Sequence, residues 1–256
     1  MKLFVAFLVS IFSELACAKF QIYLKDYQSL RLSRPRNVFV YTPRNYSSQE
    51  TYPVVFMHDG QNLFDPQRAF QGRTWKVQES LDRLIESGQI SPVVVVAIDN
   101  SSDRLEEYIW ERMGESYVDF ISEELLPLLE SDFSLKRGPQ HRALIGSSLG
   151  GLISLRAGIH RHFQFGLIAA LSPSIWWNNK EIINLYRVSP NLPQKIYIDM
   201  GTRNGERPED VRELQALLQS RSHPNLYAWI DEFGGHDEAA WAYRFPIALK
   251  FLFPPN

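Results

Sequence analysis

Ala143-Leu144-Ile145-Gly146-Ser147-Ser148-Leu149-Gly150-Gly151 decides how the rest of the chain is read. A short apolar run, expected as a strand over 143–145, leads into Gly-x-Ser-x-Gly. A small-residue-rich helical stretch follows over 149–159. A serine between a strand and a helix, with small residues two positions either side, has the setting of a nucleophile elbow. The sharp turn lifts the hydroxyl above the sheet, and the helix N-terminus behind it favours developing negative charge. The spacing selects Ser148. A phosphate-binding turn is the competing reading, but no lysine stands in a Walker arrangement here.

Outward from the elbow, strand-like and helix-like runs alternate. Strands are expected over 38–41, 54–57, 93–98, 165–171, 196–200 and 226–230. Helices are expected over 78–87, 117–129 and 241–251. The continuous apolar run over 93–98 suits a central parallel strand covered on both sides. Repeated alternation implies an α/β sandwich: a mostly parallel sheet with helices on both faces. In such sheets, functional loops gather at the carboxyl ends of the strands.

A serine hydroxyl needs a base to become nucleophilic at neutral pH. In the elbow architecture the partners follow in the order serine, acid, histidine. Gly234-Gly235-His236-Asp237 lies between the last expected strand and the last expected helix, so His236 is the base; the two glycines permit a sharp turn. His223, in His223-Pro224-Asn225, reads as a solvated turn. The oxyanion needs two backbone N–H donors. One is Leu149, directly after the nucleophile. The other is Gln61, in the His58-Asp59-Gly60-Gln61-Asn62 loop after an early strand, where His58 and Asp59 are expected to stiffen the turn.

Taken together these stretches resemble the esterase branch of the α/β-hydrolases, the group of enterochelin-type siderophore esterases, feruloyl and acetyl-xylan esterases and esterase D-like S-formylglutathione hydrolases. The likeness rests on residues 37–43, 53–65, 97–100 with Arg104, 145–151, 172–177, 197–202 and 235–241. It runs over nearly the whole chain after residue 18 and implies an α/β-hydrolase fold and ester hydrolysis. Siderophore esterases often carry an added N-terminal domain; here the opening strand follows soon after the leader, so that domain is expected to be absent. The acid departs from the pattern. The resemblance places it just after Gly201-Thr202, but Arg203 and Asn204 come next. Glu206 is the chosen acid, with Asn204, Asp210 or a working Ser–His dyad as alternatives. Asp199 reads as structural. Phe64, Trp110, Trp176, Trp177 and Trp241 fall near the expected mouth, and Trp176 is the chosen substrate contact for an aryl or sugar-bearing ester. Arg104 is chosen to hold an anionic group, with Arg203 beside it as a second candidate.

The start of the chain reads differently. Met1-Lys2, an apolar run over 3–12 and Ala16-Cys17-Ala18 form the pattern of a secretory signal peptide. The run is too short for a helix to span a bilayer core of roughly 30 Å. Cleavage after Ala18 leaves one catalytic domain over 19–256, exported to the periplasm or secreted, without its only cysteine. A lipidated Cys17 is the alternative, opposed by Glu14 where a lipobox has leucine.

The remaining composition is mostly exclusion. The 256 residues are 45% apolar with a net charge of −2, which opposes disorder and nucleic-acid binding. One cysteine excludes a disulfide framework, and six scattered histidines give no metal-site spacing. The expected enzyme needs no cofactor and no metal. Its partner is a small-molecule or glycan-linked ester, with no stable membrane insertion. An acyltransferase, or a non-catalytic binding protein on a hydrolase scaffold, are the alternatives.

Overall fold

A computed structural model describes residues 19–255; the leader and Cys17 lie outside them. The strands are β1 (Lys19–Tyr27), β2 (Arg36–Thr42), β3 (Val54–Met57), β4 (Val94–Ile98), β5 (Arg142–Ser147), β6 (Leu167–Leu171), β7 (Lys195–Gly201) and β8 (Leu226–Asp231). They form one sheet in the order β1-β2-β4-β3-β5-β6-β7-β8. β1 and β2 are antiparallel to their neighbours, and the other six strands run parallel. This is the mostly parallel sheet that the alternation of strands and helices implies.

Side-chain alternation divides the core in two. Val54, Phe56, Leu144, Ile168 and Ile196 face one side of the sheet. Val55, Met57, Ala143, Ile145, Ala169 and Tyr197 face the other. α1 (Val77–Glu86) and α8 (Glu238–Leu252) cover the second side through Leu81, Leu84, Phe245 and Leu249. α2 (Arg104–Tyr108), α3 (Glu115–Asp119), α4 (Leu126–Asp132), α5 (Leu149–His160), α6 (Trp177–Val188) and α7 (Pro208–Ser220) lie on the first side, which α3 to α7 cover through Tyr117, Leu129, Ile153, Ile183 and Leu214. Both faces are therefore sealed, as continuous apolar strands require.

Three features differ from the sequence reading. β1 was passed over beside the leader, though Phe20, Ile22 and Leu24 alternate with polar residues; two register shifts interrupt its pairing with β2. The single helix expected over 117–129 is α3 and α4 joined by a wider helical turn over Phe120–Leu125. Pro127 has no N–H to return to the carbonyl four residues earlier, so regular winding cannot continue through it. α6 is not among the expected helices, and of α7 only a start near Asp210 is expected. Asn178, Asn179 and Lys180 hold positive φ values at the start of α6.

Candidate active site

The elbow is built at the end of β5. Ser148 has φ 55° and ψ −124°, a strained conformation for a residue with a side chain. Gly146 is required by space: a Cβ there would stand 2.6 Å from the Gly150 carbonyl carbon. α5 packs so closely behind the turn that Gly150 through Ile159 are all buried. Leu149 opens that helix, so its N–H has no intrahelical acceptor.

His236 reaches the elbow from the loop between β8 and α8. Its Nε2 is 3.0 Å from Ser148 Oγ, and its Nδ1 is 3.2 Å from Glu206 Oε2. Gly234 and Gly235 have no positive φ, so the expected conformational reason for them is replaced by a spatial one. A Cβ on Gly235 would meet Asn204 Nδ2 at 2.7 Å, and one on Gly234 would collide with the Asp231 carboxylate. The Gly234 carbonyl accepts from Thr202 N–H and Arg203 N–H, both at 3.1 Å, tying the histidine loop to the loop after β7. Asp237 caps α8 by accepting from Ala240 N–H at 3.0 Å.

Among the candidate acids, the backbone brings Glu206 to the histidine. Asn204 (φ 56°) and Gly205 (φ 82°) make a left-handed turn that leaves Asn204 exposed and swings Glu206 inward. Asp210 is buried elsewhere, at the start of α7, against Lys180 Nζ at 2.7 Å and Arg207 Nε at 3.1 Å. Asp199 lies within β7, accepting from Tyr197 O–H at 2.8 Å and Ser172 N–H at 3.1 Å. Burial pushes Asp199 up to about 6, although the Arg244 cation pulls the other way. Burial also acts on Glu206, but hydrogen bonds from His236 and Ser172 outweigh it and hold the carboxyl below its usual range.

The loop after β3 supplies the third element. Asp59 is left-handed (φ 55°) and opens a short helical turn, Gly60–Asn62. Its carboxylate accepts from Arg104 Nε at 2.7 Å, Arg104 Nη2 at 2.8 Å and Asn100 Nδ2 at 2.5 Å. Gln61 Oε1 accepts from Asn100 N–H at 3.2 Å. Gln61 N–H lies in the first turn, where no helical acceptor exists. Gln61, Asp59, Phe70, Trp75, Asn100, Arg104, Ser148, His236, Glu238 and Trp241 share one cavity of about 450 Å³.

Arg104 therefore lines the cleft with its guanidinium committed to Asp59 and its carbon centre 4.9 Å above the Tyr108 ring. Trp176 lines a separate groove of about 570 Å³ with Leu105, Ile109 and Trp177. Arg203 stacks over Phe233, 5.3 Å from the ring centre. Sequence reasoning missed Ser174, whose Oγ is 3.4 Å from Ser148 Oγ, and the pair Ser172 and Arg244 behind Glu206. Ser172 and Ser174 were marked by lying just past a strand's carboxyl end and within the 172–177 stretch of the resemblance, with no role attached; nothing marked Arg244. Among the described residues, no group of three or more histidine, cysteine or acidic side chains is placed to hold a metal ion, and no helix is long and apolar enough to cross a membrane.

The family model Putative esterase matches residues 29–252. The chain belongs to this esterase family. It is thus a carboxylic ester hydrolase of the α/β-hydrolase type. Uncharacterized protein YbbA of Bacillus subtilis (strain 168) is 27% identical over 246 residues, covering 86% of this chain and 94% of that protein. Iron(III) enterobactin esterase of Escherichia coli (strain K12) is 27% identical over 244 residues, covering 90% of this chain. The chain spans only 56% of that protein's length. A solved ferulic acid esterase superposes with a TM-score of 0.76 at 21% identity, covering 93% of this esterase and 98% of that chain, which speaks to the fold.

Proposed function

We propose that this esterase works through an acyl-enzyme on Ser148, with His236 as base and Glu206 as its supporting acid. The observation that carries the reading is the continuous contact Ser148–His236–Glu206, at 3.0 and 3.2 Å. Glu206, ionised, can only accept, so His236 carries its proton on Nδ1 and offers a bare Nε2 to the serine hydroxyl. Ser148 Oγ attacks the ester carbonyl while its proton passes to Nε2. The imidazolium so formed faces a buried carboxylate, which stabilises it. The backbone N–H groups of Gln61 and Leu149 receive the oxyanion. Collapse expels the alcohol, which takes the proton from Nε2. A water then gives its proton to His236 as it attacks the acyl carbon; the acyl–Oγ bond breaks, the acid leaves and Ser148 Oγ takes the proton back from Nε2.

The cleft wall favours an aryl-bearing ester. Phe70, Trp75 and Trp241 line it, and rings on this scale bind aromatic groups by stacked or edge contact. Siderophore or carbohydrate-linked aryl esters both fit, and the Trp176 groove beside the cleft offers a second stacking surface for the remainder of the molecule. We further propose export, on the leader pattern over residues 1–18, as a single catalytic domain over 19–256.

Fluorophosphonate labelling tests the chemistry. Wild-type protein should be labelled and Ser148→Ala should not; an unlabelled wild type sinks the reading in favour of a binding protein on a hydrolase scaffold. A panel of acetyl, feruloyl and dihydroxybenzoyl esters tests the substrate class. Faster turnover of short aliphatic esters than of aryl esters would exclude the aromatic assignment. Product analysis with alcohol acceptors present separates hydrolysis from acyl transfer.

A further inference from the structure

Behind Glu206, outside the triad, Ser172 stands directly after β6 with a left-handed φ of 43°. Its hydroxyl meets three groups: Trp241 Nε1–H at 3.1 Å, Arg244 Nη2–H at 2.7 Å and Glu206 Oε1. An indole N–H and a guanidinium N–H can only donate, and a hydroxyl has two lone pairs and one proton. Both lone pairs face obligate donors, so the proton of Ser172 has one direction left, onto Glu206 Oε1. Gly201 N–H reaches the same oxygen at 3.1 Å. With Oε1 doubly engaged, Oε2 is the oxygen presented to His236 Nδ1.

Charge works in the same direction. Arg244 is fully buried, with Nε 3.4 Å from Asp199 Oδ1 and Nη2 3.6 Å from Glu206 Oε1. One cation thus stands between two buried carboxylates. When His236 becomes an imidazolium during the reaction, the cluster gains the second positive charge that balances it. The charged and titratable groups facing this cluster are His236, Arg244, Asp199 and Tyr197.

We infer that Arg244, together with Trp241, is a positioning device for the triad: by occupying both lone pairs of Ser172 it turns that hydroxyl onto Glu206 and so selects the imidazole tautomer that serves as base. The inference rests on the acyl-enzyme reading above. Neither residue touches the reacting atoms through this network; each acts through Ser172 and Glu206.

The test uses the full chain and four variants: Ser172→Ala, Trp241→Phe, Arg244→Lys and Arg244→Met. For each, the rate of fluorophosphonate labelling, and kcat and KM for p-nitrophenyl acetate, are measured from pH 4.5 to 9. Losing a hydrogen bond to a charged group predicts about a 10- to 100-fold fall in kcat for Ser172→Ala and Arg244→Met, with KM changed by less than about threefold. The acidic limb of the profile should move to higher pH, because a Glu206 carboxylate that has lost a donor or a cation holds the imidazolium more strongly and keeps the base protonated longer. Arg244→Lys keeps the charge and should recover part of the loss. Trp241→Phe keeps a ring and loses one donor, for about a two- to fivefold fall. Arg244→Met removes a buried cation and can fail to fold; Ser172→Ala and Trp241→Phe then decide alone. Wild-type kcat and an unmoved acidic limb in folded Ser172→Ala overturn the inference. So does a uniform loss at every pH, the mark of a merely structural role. Labelling of wild-type protein in the same experiment shows that the hydrolase reading stands even where the positioning inference falls.

Discussion

Two histidine–aspartate pairs occupy this enzyme, each beside glycine and each just after a strand: His58-Asp59-Gly60 after β3, and Gly235-His236-Asp237 after β8. His58 is 2% exposed, and both ring nitrogens are engaged, with Tyr117 O–H at 2.8 Å and Ser154 Oγ at 3.0 Å. Burial pushes it down to about 4, so it is neutral at pH 7. The side chain of His236 is 33% exposed and lies between a serine hydroxyl and a carboxylate. Asp59 anchors Arg104, while Asp237 caps a helix. The same dipeptide therefore builds a rigid wall in one place and, in the other, the proposed proton-transfer group. What separates them is access to the cleft and a carboxylate on the far nitrogen, since only a carboxylate stabilises the imidazolium by charge.

The comparison breaks if His236 is dispensable. His236→Ala should lower kcat by about 10⁴-fold or more, as loss of a base acting in concert with its serine does elsewhere, with a melting temperature near wild type. Steady-state hydrolysis and thermal unfolding of the same preparation decide it. Glu206→Gln keeps the shape but cannot support the charge, and should cost about 10³- to 10⁴-fold in kcat. A loss under tenfold would mean that a Ser–His dyad suffices.

His58 should behave in the opposite way. His58→Ala leaves the Tyr117 and Ser154 hydroxyls without their partner and opens a cavity, so urea unfolding should show a stability loss of about 2–4 kcal/mol. Fluorophosphonate labelling of the folded fraction should stay within about tenfold of wild type. Labelling as weak as that of His236→Ala would erase the distinction between the two histidines.

The pH dependence of stability sharpens the same contrast. The folded-state value of His58 is about 4, against 6.5 for an ordinary imidazole. Between these limits the unfolded chain binds a proton that the folded protein refuses, so this contribution is complete above about 6.5 and is lost as pH falls toward 4. Asp199, raised to about 6 from 3.8, has the opposite sign: the folded protein takes its proton first as pH falls through that window. The difference between wild type and His58→Ala isolates the histidine, and should shrink by about 2–3 kcal/mol from pH 7.5 to 4.5. An unchanged difference would show that His58 is not held neutral. The smallest effect concerns the groove beside the cleft, whose Trp176 is 46% exposed. Trp176→Ala should raise KM for bulky aryl or glycan-linked esters by less than about tenfold and leave p-nitrophenyl acetate unaffected. Equal changes for both substrates would remove the groove from substrate binding.

Chain order and residue type were enough to identify the fold class and a short set of candidates. Continuous apolar strands demand cover on both faces, and Gly146-x-Ser148-x-Gly150 fits between β5 and α5 because a side chain at Gly146 would strike the helix. Those constraints are local and leave their mark in the sequence. The choice of Glu206 over Asn204, Asp210 and Asp199 is of another kind. It depends on a left-handed turn at Asn204-Gly205, on Lys180 and Arg207 engaging Asp210, and on Arg244 reaching in from α8. The groups meeting at Glu206 come from Ser172, Gly201, His236 and Arg244, scattered across 73 residues of chain. Hydrogen-bond direction and buried charge are settled by such meetings in space, which no neighbouring residues encode, so local pattern pointed to the proposed nucleophile while packing brings Glu206, the proposed acid, to the histidine.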